Sequence, residues 1–148
     1  MTPAQIATFK AAILGDANLA TARANGDAGA GVAYYNGAGT GLIWRPNIGV
    51  SELNTAIVWS EFVALTLQQQ GAYSALVQGS LVDATNANIR SGFSTIFASA
   101  AQSLANLTAL AQRTPTRFEQ LFAVSGVVPA ALFGFQVQVS DIALALGS

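Results

Sequence analysis

The chain has no cysteine and no histidine, a single lysine and a single methionine in 148 residues, and only 9% of its residues are charged. Without cysteine there is no disulfide, no thiolate nucleophile and no cysteine-ligated metal. Without histidine, a hydrolytic triad lacks the base that normally works near neutrality. The six basic side chains are scattered singly and the net charge is −1. No stripe can follow a phosphate backbone, so specific nucleic-acid binding is not expected. The start, Met1-Thr2-Pro3, carries no basic stretch and no apolar run, so no secretion signal is expected.

The shortage of charge has a consequence of its own. Apolar residues make up 52% of the chain, while an average soluble domain is about 25% charged. Six basic and seven acidic side chains are too few to cover a monomer. The rest of the surface is alanine, glycine and uncharged polar residues, or it is covered by other subunits. This balance points to a subunit of a larger assembly. The length fits a single domain, 1–148, burying about two thirds of its unfolded surface.

Helical spacing dominates what is present. Thr2-Pro3-Ala4-Gln5 is a helix start, with Thr2 as cap and Gln5 reaching back, and Ile6, Phe9 and Ile13 mark its buried face. Asp27 is placed to cap a helix through Val32, Tyr34 and Tyr35, which Asn36-Gly37 stops. Ser51 is the expected cap of one helix carrying Leu53, Ile57, Val58 and Phe62. Thr66-Leu67-Gln68-Gln69 opens another. In the block 81–123, Ile89, Phe93, Ile96 and Phe97 line one helix face, with Thr85 or Asp83 as cap. Leu104, Leu107 and Ala111 line a second, and Phe118, Leu121 and Phe122 a third that starts at Thr114-Pro115. These three stripes are expected to bury against one another and against the two tryptophans.

Two stretches read as strand. Thr40 to Arg45 places Leu42 and Trp44 on one side and ends at Pro46; Phe133 to Val139 alternates large apolar residues with Gly134, Gln136 and Gln138. The expected fold is therefore mainly α, with five to seven short helices and a small two-stranded antiparallel element from about 40–45 and 133–139. Residues 124–148 are a candidate inter-subunit arm.

No catalytic constellation emerges, and neither a cofactor nor a metal is expected. Only Glu52 and Glu61 share an expected helix, and nine residues at about 100° each set them on opposite sides. Residues 26–41 hold six of the fourteen glycines, but the helix precedes the glycines, the reverse of a dinucleotide-binding turn. A contact loop is the expectation there, with small-molecule binding at Gly26–Gly41 a lesser one. The segment 120–140 has no charge and about the length of a membrane span, yet Gly126, Pro129 and Gly134 interrupt it. Arg90, Arg113 and Arg117 can pair with Asp83 or Glu119, or face a partner. The candidate interface residues are Phe133, Phe135, Val137, Val139, Arg90, Arg113, Arg117 and Trp44.

Four segments occur in this order: Thr2-Pro3-Ala4-Gln5-Ile6-Ala7-Thr8-Phe9-Lys10, Ile43-Trp44-Arg45, Asn88-Ile89-Arg90-x-Gly92, and Thr116-Arg117-Phe118-Glu119-x-Leu121-Phe122-Ala123. Together they resemble a family of small proteins encoded among the virion genes of tailed bacteriophages, over the chain up to about residue 139. The resemblance implies a non-enzymatic virion component present in many copies: a head–tail connector, a tail component or a capsid decoration protein. Its partners would be copies of itself and other virion proteins. A membrane-active protein using 120–140 during infection is the alternative.

Overall fold

The computed structural model describes residues 1–146. Along the chain come α1 (Pro3–Gly15), a 3-10 turn (Ala17–Leu19), α2 (Ala20–Ala24), α3 (Ala28–Asn36), β1 (Ile43–Trp44), β2 (Ile48–Gly49), α4 (Val50–Ala56), α5 (Trp59–Ala64) and α6 (Leu67–Leu76). Then follow β3 (Leu81–Val82), α7 (Ala87–Ile96), α8 (Ala101–Leu110), β4 (Gln112–Arg113), α9 (Arg117–Phe122), a 3-10 turn (Ala130–Leu132) and α10 (Val139–Leu146). The protein is mainly helical with two antiparallel sheets of two strands each, and its ten described helices exceed the expected five to seven. The described chain divides into two compact units, residues 1–42 with 114–146 and residues 43–113.

In the unit built from both ends of the chain, α10 packs on α1 and α3, and α9 packs on α3. Thr2 and Gln5 close the expected capping box on α1, and Asp27 caps α3. Phe9 lies at the centre, wholly buried. It meets the edges of Tyr35 at 4.9 Å and Phe118 at 5.1 Å, and Phe118 in turn meets Phe122 and Phe135, each at 5.0 Å. Burying each such ring contributes about 1.5–3 kcal/mol. The helix starts at Thr116, which caps it, rather than at Thr114-Pro115.

In the middle unit, α4 packs on α8 and α6 on α7. Ile48, Leu53, Ile57, Leu65, Tyr73, Ile96, Phe97 and Leu107 form its core. The stripes of α7 and α8 are buried here as expected. The third stripe of the 81–123 block, on α9, lies in the other unit, against the rings named above. Trp44 is half-buried, but Trp59 is 54% exposed, against expectation. Asn86 caps α7 in place of Thr85 or Asp83.

The helix expected through Leu53, Ile57, Val58 and Phe62 is two helices. The chain is extended at Ile57 and Val58, and α8 supplies the missing partners. Asn106 Nδ2 donates to the Ala56 carbonyl at 2.9 Å, and the Val58 N–H donates to Ser103 Oγ at 3.0 Å. Ser103 is wholly buried, and its hydroxyl in turn donates a hydrogen bond to the Glu61 carboxylate at 2.7 Å.

The strand expected at 133–139 does not form, and 40–45 does not pair with it. Ile43 and Trp44 pair instead with Arg113 and Gln112. Gly134 takes a left-handed conformation (φ 72°) that interrupts any extended run. Its N–H donates to Glu119 Oε1 at 2.6 Å, while both backbone groups of Val137 bond to the Asn36 side chain. The Gln138 N–H donates to Asp141 at 2.8 Å at the start of α10. Side chains have taken the hydrogen bonds a neighbouring strand would have made.

Candidate functional site

The glycine loop is built for close packing. The Gly39 N–H donates to the Pro115 carbonyl at 2.8 Å, and the Arg117 N–H donates to the Gly37 carbonyl at 2.9 Å. A Cβ on Gly39 would lie 2.5 Å from Gln120 Oε1 and 3.1 Å from the Thr116 carbonyl oxygen. Gln120 and Thr40 exchange two further bonds, at 2.9 and 2.7 Å. These N–H groups are turned onto the protein, which leaves no cradle of the kind a phosphate needs.

Beside this loop runs an open groove of about 770 Å³ with a mixed lining, in which Asp16, Tyr34, Tyr35, Thr40, Arg117 and Gln120 stand beside Ala12 and Leu121. Its polar groups are largely engaged with one another. Arg117 donates to the Tyr34 carbonyl at 2.9 Å and lies 4.4 Å over the Tyr34 ring. The Tyr34 hydroxyl, foremost, and the bonds from Asn18 hold the Asp16 carboxyl below the usual carboxylate range. The Tyr35 hydroxyl is buried with no hydrogen-bond partner among the described residues, and burial pushes its pKa up to about 12.

In the middle unit Arg90 is a structural fork. Its Nη1 donates to the Ala84 and Thr85 carbonyls, both at 2.7 Å, and its guanidinium lies 4.6 Å over Trp44. Behind it is an apolar cavity of about 70 Å³ lined by Ile48, Leu53, Val82, Phe93 and Leu107. A benzene-sized guest needs about 150 Å³, so this space is a packing gap. Asp83 is engaged with Thr85. The ion pair the sequence reading missed is Arg45–Glu52, at 3.0 Å.

No protein-family model, curated protein or solved structure matches the chain.

The candidate interface residues fall in different surroundings. Val137 is wholly buried, and Phe133, Phe135, Trp44, Arg90, Arg113 and Arg117 are partly buried. Phe135 stacks on Phe118, and Arg113 sits in β4 opposite Ile43. Only Val139 is largely exposed, at 55%. The surface instead shows apolar residues the sequence did not single out, among them Leu67 at 86%, Val124 at 75% and Val63 at 69%. None of the three lies on a stripe that helical periodicity marks, and Val124 lies outside the helices. Chemically, the described residues offer exposed apolar side chains and polar groups engaged mostly with one another. Among them, no group of three or more acidic residues is placed to hold a metal ion.

Proposed function

We propose that this chain is a structural subunit of a tailed-phage virion, present in many copies at or near the head–tail junction and held there through apolar, low-charge surfaces. One observation carries the reading. Ten large hydrophobic side chains are exposed among the described residues, on a chain with only 9% charge. Each exposed apolar surface gains about 25 cal/mol per Å² when a neighbouring copy removes it from water. The resemblance of the four quoted segments to phage virion proteins favours a virion over other assemblies.

The test is quantitative mass spectrometry of density-purified phage particles that encode the chain. Many copies per particle are expected; absence from the particles overturns the reading. Antibody labelling of intact particles separates the head–tail junction from a capsid-surface position. For the membrane alternative, residues 120–140 run from the end of α9 through a turn and a 3-10 turn. No described helix is long and apolar enough to cross a membrane. Liposome flotation is expected to leave the protein at the bottom of the gradient.

A further inference from the structure

Two of the chain's asparagines stand directly before glycine, Asn25 before Gly26 and Asn36 before Gly37. Such a pair can react with itself. The glycine amide nitrogen is tethered within reach of the asparagine Cγ, and no Cβ on the glycine hinders its approach. The other asparagines precede alanine, threonine, leucine or isoleucine, whose side chains crowd the same attack. The structure treats the two reactive pairs very differently.

Asn25 closes α2, a helix of five residues with no buried side chain. Asn25 and Gly26 are both exposed, and the Asn25 carboxamide has no hydrogen-bond partner among the described residues. The Gly26 N–H is held by one bond, to the Arg23 carbonyl at 3.2 Å. A helix this short is marginal by itself, so its last turn opens at little cost. Once open, it lets the carboxamide turn to face the Gly26 nitrogen.

Asn36 also ends its helix, α3, but there every group the reaction needs is engaged. Its Nδ2 and Oδ1 bond both backbone groups of the wholly buried Val137. The Gly37 N–H is shared between the Ala33 and Tyr34 carbonyls at 3.1 and 3.2 Å, and the Gly37 carbonyl accepts from the Arg117 N–H at 2.9 Å. Bringing this carboxamide onto the Gly37 nitrogen requires detaching the end of α3 from the Val137 segment first. Each further bond that must break lowers the population able to react.

We infer that Asn25–Gly26 is a site of spontaneous deamidation and that the fold protects Asn36–Gly37 from the same reaction. The Gly26 nitrogen loses its proton to water and forms a bond to Asn25 Cγ. The Cγ–Nδ2 bond breaks, and Nδ2 takes up a proton from water and leaves as ammonia. The resulting five-membered succinimide then takes up one water. Opening at one ring carbonyl leaves aspartate at position 25; opening at the other leaves isoaspartate, in which the main chain runs through the β-carbon. Water is the only reactant consumed. Either product adds one negative charge to a chain whose net charge is −1. The isoaspartate form also lengthens the link between α2 and Asp27, the cap of α3. None of this depends on where the protein works.

The test is peptide mapping of the whole folded chain after incubation in mildly alkaline buffer, beside a parallel sample in urea. Chymotrypsin cuts between the two sites, at Tyr34 and Tyr35, so each asparagine falls on its own peptide. Electron-transfer fragmentation then locates each exchange of amide for acid and separates aspartate from isoaspartate. In the folded chain Asn25 is expected to react at least about tenfold faster than Asn36. In urea only the local sequence counts, and the two rates are expected to agree within about twofold. Asn25→Gln, whose longer side chain closes a ring far more slowly, is expected to stop the reaction at 25 and leave the Asn36 rate unchanged. Equal rates at the two sites in the folded chain overturn the inference. So does an Asn25 that stays an amide in the folded chain while it reacts in urea.

Discussion

Asn36 and Val137, 101 residues apart in sequence, are joined by two hydrogen bonds: Nδ2 of Asn36 donates to the Val137 carbonyl at 2.9 Å and Oδ1 accepts from the Val137 N–H at 2.8 Å. A carboxamide presents a donor and an acceptor side by side, as a neighbouring strand does. Val137 is wholly buried, so removing that partner strands two backbone groups away from water. Asn36→Ala is expected to cost about 2–4 kcal/mol, measured by urea unfolding, with faster hydrogen exchange at the Val137 amide. Unchanged stability and exchange would show that the pair does not hold the segment.

Acid stability should depend on Glu61. Its carboxylate accepts from the Ser103 hydroxyl and the Ser103 N–H, both at 2.7 Å, and from the Gln102 N–H at 3.2 Å. The Ser103 hydroxyl, foremost, holds its pKa below the ordinary 4.5. Glu52 shifts the same way, through the Gly49 N–H first and then Arg45. A lowered folded pKa gives stability that is present above the unfolded value and is lost as pH falls through the folded one. With no histidine in the chain, stability is expected to be flat from about pH 5 to 8 and to fall in acid from about pH 4.5 downward. Glu61→Gln should flatten part of that acid slope; an unaltered slope in thermal melts across pH 3–6 would remove Glu61 from the account.

Arg90→Lys tests the fork over Trp44. A single ammonium cannot lie flat on the indole and serve both carbonyls as the guanidinium does. The expected loss is about 1–2 kcal/mol, with a red shift of Trp44 emission in a Trp59→Phe background. Equal stability with lysine would mean that the stacking adds nothing.

Two tyrosines should respond oppositely to loss of a hydroxyl. The Tyr35 hydroxyl is buried and unpartnered among the described residues, so Tyr35→Phe is expected to be neutral or stabilising by about 1 kcal/mol. Tyr73 donates to Asn54, so Tyr73→Phe is expected to cost about 1 kcal/mol. Calorimetry of the two variants side by side decides it. A marked loss at Tyr35 would point to a role for that hydroxyl beyond packing.

What the sequence discloses here is local. The boxes at Thr2–Gln5 and Thr66–Gln69, the Asp27 cap and the stripe of α7 depend on residues three or four apart, and all are found in the structure. The break at Ile57–Val58 depends on Ser103 and Asn106, 45 and 50 residues away, and no local pattern announces it. The alternation at Phe133–Val139 was a true pattern with the wrong partner. Phe135 and Val137 do turn into a core, but Glu119 and Asn36 satisfy the backbone instead of a strand. The candidate interface residues suffered from the same limit, because several of them were apolar for the benefit of their own unit.

The division of the chain has a bearing on how it is made. Residues 43–113 form a continuous piece, whereas the other unit joins 1–42 to residues beyond 113. A nascent chain leaving the ribosome can finish the middle piece early, since domains fold as units during synthesis. The opening helices, Phe9 among them, must wait for Phe118 and Asn36's distant partner to be synthesised. Synthesis of the residues beyond 113, rather than the appearance of the first helices, is therefore the step that lets this unit close.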